Sequence, residues 1–229
     1  MGINRYICNM IRYGIVIFMA IIGALRAFAI DYEQEFVRIG FADVQELDST
    51  IVVDLKYAGT DNFMGVNMYG DLSRAYLRPE VAARLIDAQR RLKNKSNDYA
   101  LVVYDAARPL SAQKMMYDKV QGTEFEQYVA NPYSGGHHCY GCAVDVSILY
   151  KGVPLDMGTG FDNFSPLSHT DNELSNLENG SLSREAFANR KLLREVMTSV
   201  GFDVESCEGW HFSCYKIEDV RKNYPRLDF

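Results

Sequence analysis

Apolar residues recur at helical spacing through "RPEVAARLIDAQRRLKNK" (78–95), where Val81, Leu85, Ala88 and Leu92 share one face. Pro79 suits a first helical turn, and basic residues gather near the end of the segment. A second helix is expected over "SAQKMMYDKV" (111–120), with Ser111 as its N-cap. A third runs through "SREAFANRKLLREVMTSVGF" (183–202): Ser183 caps it, Phe187, Leu193, Val196 and Val200 line a face, and Gly201 stops it. Strands follow a different period. "YALVVYDAA" (99–107) is a β-rich apolar run, and "CAVDVSIL" (142–149) alternates. Val144, Val146 and Ile148 share one face of that strand; Ala143, Asp145 and Ser147 share the other, so an acid is planted on one side. "FVRIGFADVQEL" (36–47) and "TIVVDLKYA" (50–58) read as an extended entry with strand character, and "GWHFSCYKI" (209–217) as a closing strand. Helices and strands mix without regular βαβ alternation. The expected fold is therefore α+β, one domain over 30–229, with a mainly antiparallel central sheet flanked by helices.

One apolar run does not fit that domain. "GIVIFMAIIGAL" (14–25) follows Arg5 and Arg12 and precedes "RAFA", with Ala27 and Ala29 at the −3 and −1 positions of an A-x-A site. This is the pattern of a secretory signal peptide over 1–29. The run is shorter than the roughly 20 apolar residues of a spanning helix, so no stable membrane span is expected after cleavage. The expected location is exported, periplasmic or secreted. Residues 1–29 carry three arginines and no acid, which leaves 21 basic against 30 acidic residues beyond them, a net −9. That balance argues against a nucleic-acid partner, which rewards basic patches.

Export removes Cys8 and leaves Cys139, Cys142, Cys207 and Cys214. An even number in an oxidising compartment suggests disulfides. The favoured pairing is at least one bridge between the 139–142 and 207–214 segments. Two local loops, or a structural zinc held by all four thiolates, are the alternatives; the 207–214 spacing is wrong for a zinc knuckle.

Candidate chemistry concentrates in the same two segments. "HHCYGCAVD" offers His138 and Asp145, and "EGWHF" offers Glu208 and His211. A catalytic zinc takes about three protein ligands and keeps one position open for water. His138, Asp145 and His211 would supply two imidazoles and a carboxylate. Gly141 permits close backbone approach between the first two. Glu208, three residues before His211, is placed to take a proton from attacking water. Arg108, in "YDAARPLS" at the end of a strand, is a permanently charged fork suited to a developing oxyanion. His137 and His169 read as structural histidines, and Trp210 as packing that fixes its neighbours. Asp61, Asn62 and Phe63 form either a loop over the site or a turn with a packed ring. No G-x-S-x-G or phosphate-binding loop is present.

"GHHCYGCAVD" resembles the S-x-H-x-x-G-x-A-x-D metal motif of the D-alanyl-D-alanine dipeptidases, and "EGWH" resembles their E-x-W-H. "DLKYAGTDNFMG" (54–65), "DAARPLSAQ" (105–113) and "PLDMGTGFDNFSPLSH" (154–169) are similar to further family signatures, so the likeness spans about 50 to 229. The paired metal motifs are shared with zinc D,D-carboxypeptidases; the "KYAGTDNF" and "MGTGFD" blocks point to the dipeptidase branch. The resemblance implies a zinc D-Ala-D-Ala peptidase fold and one Zn2+ per chain on His138, Asp145 and His211. It implies Glu208 as general base, Arg108 as stabiliser of the tetrahedral intermediate, and Tyr57 and Asp162 near the ammonium of a dipeptide substrate. Two positions depart from the pattern: Gly136 stands in place of Ser, and Gly209 where many relatives carry a second Trp.

The function so implied is an exported zinc dipeptidase acting on D-Ala-D-Ala from cell-wall turnover. The rivals are a D,D-carboxypeptidase trimming peptidoglycan stems through an open groove, and a zinc-stabilised binding module without catalysis.

Overall fold

A computed structural model describes residues 30–229; the expected signal segment over 1–29 lies outside the described residues. The chain enters through helix α1 (Tyr32–Arg38), a short strand β1 (Ala42–Asp43) and a single-turn helix α2 (Val44–Leu47). The extended entry expected over 36–47 is thus largely helical. Phe36 is fully buried and anchors α1, and the Asp43 carboxylate caps α2 by accepting from the Gln45 and Glu46 amides. Strand β2 (Val52–Val53) follows, then a 3-10 turn over Lys56–Ala58, and strand β3 (Tyr76–Leu77) pairs with β1.

Helix α3 (Pro79–Lys95) starts on its proline, as its sequence predicts, and buries Val81, Leu85, Ala88 and Leu92 against the sheet. Full burial of each such branched side chain contributes about 1.5–3 kcal/mol. Gln89 sits on the same face with no exposure. Its Oε1 accepts from the Leu101 amide and its Nε2 donates to Thr50, so one amide fastens α3 to strand β4 (Tyr99–Asp105) and to the turn before β2. Helix α4 (Leu110–Val120) is capped at Pro109 rather than Ser111. Ser111 instead donates to the C-terminal Phe229 carbonyl.

Strand β5 (Ala143–Tyr150) is buried on both faces for seven of its eight residues. It is followed by β6 (Val153–Pro154), α5 (Glu173–Glu178), α6 (Arg184–Ser199), β7 (Asp203–Val204), β8 (His211–Ser213) and α7 (Ile217–Asn223). Ser183 caps α6 by accepting from the Ala186 amide, and Gly201 ends it at a φ of 88°. The buried face of α6 runs through Ala186, Arg190, Leu193, Val196 and Met197; Phe187 and Val200 are only half-buried.

The main sheet has the order β2-β4-β5-β8-β7, with β6 on β5. It is mixed, which corrects the expected mainly antiparallel sheet: β2 runs parallel to β4 through the Val52–Val102 and Val53–Val103 pairs. A core of α3, α6, β4 and β5 side chains covers one face, including Val144, Val146 and Ile148. A second, aromatic cluster of Phe36, Tyr57, Tyr69 and Tyr76 gathers around α1 and α4. Two features of the sheet position the site. The β4–β5 ladder breaks into a bulge between Val103 and Asp105, which leaves Asp105 opposite Asp145. On the other side of β5, Asp145 stands opposite His211.

Candidate active site

The turn that carries His138 is locally specified. His137–Tyr140 make one 3-10 turn, ended by Gly141 in the left-handed region at φ 68°. A Cβ there would run into the Phe41 ring, so glycine is required twice over. The turn is clasped to the end of β4: the Arg108 amide donates to the His138 carbonyl at 3.0 Å, and His138 Nδ1 donates to the Ala106 carbonyl at 2.6 Å.

That last bond fixes the tautomer. With its proton on Nδ1, His138 turns the Nε2 lone pair inward. Nε2 lies 3.2 Å from Asp145 Oδ1 and 3.1 Å from His211 Nδ1, and His211 Nδ1 lies 3.0 Å from Asp145 Oδ1. Three electron-rich atoms therefore form a nearly equilateral triangle. Tetrahedral ligands about 2.0–2.1 Å from zinc stand roughly 3.3 Å apart, so the donor set and its spacing fit such an ion. Protons alone satisfy the triangle poorly, because only His211 Nδ1 has one to offer. Among the described residues these three make the one group of His, Cys, Asp or Glu close enough to hold a metal. Burial opposes ionisation of Asp145, but His138 and His211 outweigh it and hold the carboxyl well below its usual range.

Glu208 lies beside the triangle. The His211 amide bonds back to the Glu208 carbonyl at 3.4 Å, so one turn sets both side chains. Glu208 shares a cavity of about 240 Å³ with Arg108, His138 and His211. Burial, and then the charge of Asp145, push its carboxyl well above the ordinary carboxylate range. Arg108 is held from two sides: Nε and Nη2 donate to Asp105 Oδ2 at 2.9 and 2.5 Å, and Nη1 donates to Gln113 Oε1 at 2.9 Å. Its Nη2 also lies 3.9 Å from Asp145 Oδ2. Burial works against this cation, and Asp105 more than offsets it, so Arg108 stays charged.

Asp162 has a φ of 58°, rare for a residue with a side chain. Its Oδ1 accepts from the Tyr57 hydroxyl at 2.8 Å and its Oδ2 from the Phe63 amide at 3.0 Å. Burial raises its pKa to about 6 despite both bonds. Tyr57 is itself buried, and its ring lies 5.2 Å from the Arg108 guanidinium carbon. Asn62 braces the 59–66 loop by donating to the Lys56, Gly59 and Val66 carbonyls, and Phe63 reaches Asp162 through its backbone. The Phe63 ring packs on Tyr57 and Phe164, which is the reading of a turn with a packed ring.

The expected cross-segment disulfide is not formed: Cys139, Cys142, Cys207 and Cys214 are free thiols. Their sulfurs face different partners, Gln113 for Cys139, the Tyr140 carbonyl for Cys142, Glu205 for Cys207, and Arg84 with the Gly201 carbonyl for Cys214. Burial pushes Cys142 up to about 11 and Cys214 up to about 12, which leaves the reactive thiolate scarce. None of the four joins a metal-competent group, so the four-cysteine zinc falls as well.

His137 Nε2 donates to the Tyr215 carbonyl at 3.1 Å, and burial brings its pKa down to about 4, which makes it a neutral structural ring. Trp210 packs on Phe161 with ring centres 5.5 Å apart. Gly136 cannot gain a side chain without movement, since a Cβ there would lie 2.8 Å from the Ala130 methyl. Residue-by-residue reading of the sequence passed over Asp105 and Gln113, the two groups that fix Arg108. Their signal was present: an acid three residues before the arginine and an amide five after it.

The sequence of residues 38–227 matches the Peptidase M15 family, described as D-ala-D-ala dipeptidase. The chain belongs to this family. It is accordingly a metallopeptidase, a hydrolase. Among its relatives, the D-alanyl-D-alanine dipeptidase of Escherichia coli (strain K12) is 33% identical over 74% of this chain and 82% of its own. Those of Streptomyces coelicolor and Enterococcus faecium are each 30% identical, over 76% of this chain and 90% and 91% of theirs. A solved LD-carboxypeptidase aligns with 65% of this chain and 64% of its own at a TM-score of 0.39 and 20% identity, too loose a likeness to argue from.

Proposed function

We propose that this family member is a zinc D,D-dipeptidase, exported from the cytoplasm, that hydrolyses D-alanyl-D-alanine released by cell-wall turnover. One observation carries the reading: both histidines of a three-donor cation site, an acid and a doubly braced arginine share one small cavity. The names of the relatives support the substrate.

His138, Asp145 and His211 would hold the zinc, which would supply Lewis acidity and lower the pKa of an attacking water to roughly 7. Glu208 takes the proton of that water as its oxygen bonds to the scissile carbon, and returns it to the amine as the C–N bond breaks. A carboxyl whose environment favours the protonated form is suited to the second half of that task. Arg108 is positioned to oppose the charge that develops on the carbonyl oxygen. Its fixed guanidinium needs no reorganisation as that charge appears. Asp162, oriented by Tyr57 and Phe63, receives the free ammonium of the dipeptide.

Export rests on the basic start, apolar run and A-x-A site within residues 1–29. It makes a scavenging role more natural than one on cytoplasmic wall precursors.

The deciding experiment is release of D-alanine by residues 30–229 from D-Ala-D-Ala, with and without a chelator. Zinc-dependent release is expected. Cleavage of a pentapeptide stem but not the free dipeptide would hand the site to the carboxypeptidase reading.

A further inference from the structure

On the dipeptidase reading, the cavity that holds Glu208 must also meet the free carboxylate of the residue that leaves. Arg108 and Glu208 are committed to the reacting groups. Most other donors that line the cavity are spent inside the protein. Gln113 Nε2 donates to the Ala130 carbonyl at 2.7 Å, and Gln127 Nε2 to the Glu124 carbonyl at 3.1 Å. His137 gives its Nε2 proton to the Tyr215 carbonyl, so its Nδ1 can only accept. Gly136 lines the same cavity where the family motif has serine, and it brings no hydroxyl.

Tyr128 does bring one, because it lines this cavity together with Gly136, Arg108 and Glu208. Its ring is fixed by stacking on Phe164, with centres 4.8 Å apart and 12° between the planes. Its oxygen lies 2.9 Å from His169 Nε2. With a proton on Nε2, His169 donates to that oxygen, and the phenolic proton is left to donate elsewhere. Burial, and then the charges of Cys207 and Glu208, raise the Tyr128 pKa, so the hydroxyl keeps its proton. Cys207 and Glu208 both line the cavity, so the phenolic oxygen lies within electrostatic range of it.

We infer that the Tyr128 hydroxyl, oriented by His169 Nε2, is the donor that recognises the free carboxylate of the substrate and stands in for the hydroxyl that Gly136 lacks. The inference rests on the dipeptidase reading above. Tyr128 touches substrate without moving a proton of the reaction, and His169 acts through it as a positioning residue. A hydrogen bond to a carboxylate is roughly twice as strong as one to a neutral carbonyl. Tyr128 should therefore distinguish the free acid from its amide.

The test measures kcat/KM for D-Ala-D-Ala and for D-Ala-D-alaninamide, and takes the ratio of acid to amide. Tyr128→Phe keeps the ring and its stack and removes only the hydroxyl. It should lower the ratio about tenfold, carried mainly by a higher KM for the free acid. His169→Leu should lower the ratio in the same direction, and His169→Gln, whose amide still donates, should largely keep it. An unchanged ratio in folded, zinc-loaded Tyr128→Phe overturns the assignment, as does a wild-type ratio near one. A ratio unmoved by His169→Leu takes His169 out of it. Wild-type protein that releases no D-alanine from D-Ala-D-Ala overturns the dipeptidase reading instead, a result visible before any variant is made.

Discussion

Asp145 and His211 face each other as a cross-strand pair on β5 and β8, with Oδ1 and Nδ1 3.0 Å apart. Sheet register alone thus joins two of the three candidate metal donors, although they are 66 residues apart in sequence. The third, His138, is brought in by the turn before β5. A cation-free site leaves these donors crowded without a shared positive charge. Chelation should therefore abolish activity and lower thermal stability, and zinc should restore both. Zinc at a thousandfold excess over its dissociation constant adds about 4 kcal/mol to folding stability. Thermal melts with and without chelator, with metal analysis, measure it. Melts that coincide would remove the ion from the site.

Glu208 lies in the cavity but is not one of the three converging donors. Glu208→Gln should lower kcat by about 10²–10⁴-fold, the usual contribution of general acid–base catalysis, while zinc stays bound. Steady-state kinetics beside metal content decide it. A variant that loses zinc in step with activity would make Glu208 a ligand instead of a base.

Asp105 is fully buried and accepts from Tyr69, the Ala106 amide and Arg108. In Asp105→Asn the amide nitrogen would face the guanidinium, donor against donor. Breaking a buried ion pair on one side costs about 3–5 kcal/mol, so the variant should be clearly less stable in urea. Its kcat should fall more than its KM rises, because Arg108 would no longer be fixed where charge develops. A variant of lower stability but wild-type kcat would show that Arg108 needs no such brace.

The metal triad was legible because its spacing is local on each side: His138 and Asp145 are joined by one turn and a strand face, and Glu208 and His211 by another turn. The helix from Ser183 to Gly201 was legible for a similar reason, since cap and stop are written in single residues. The parallel β2–β4 pairing was not. Two-residue strands carry no period, and their partner is chosen by the fold. The entry over 36–47 misled because its short helices depend on the burial of Phe36 and the cap at Asp43. Cysteine pairing failed because it depends on where each sulfur points, which counting cannot supply.

On the proposed function, Asp162 would link pH to substrate binding. Burial places its pKa at about 6, against about 3.9 in an unfolded chain. Below that value it is neutral and offers the dipeptide ammonium no counter-charge. The KM for D-Ala-D-Ala should rise as pH falls through about 6, and Asp162→Asn should show a high KM without that pH step. The effect on stability has the opposite sense. A raised carboxyl pKa favours the folded state at low pH, and that contribution is lost as pH rises through about 6. The stability of Asp162→Asn relative to wild type should therefore improve from pH 4 towards neutrality. Urea melts across that range check it, and a constant difference would mean Asp162 ionises normally.

Gly136 departs from the serine of the family motif, and its neighbourhood explains why serine is not simply tolerated. A Cβ at 136 would lie 2.8 Å from the Ala130 methyl, closer than side-chain carbons approach. Gly136→Ser alone should cost about 1–3 kcal/mol through overpacking. The Gln113 amide, which braces Arg108, also donates to the Ala130 carbonyl at 2.7 Å, so a displaced 130 backbone would reach Arg108. Activity should fall along with stability. Ala130→Gly in the same chain removes the obstructing methyl and should restore much of both. A double-mutant cycle reads the coupling directly. Additive losses would mean that the serine is excluded by something other than Ala130.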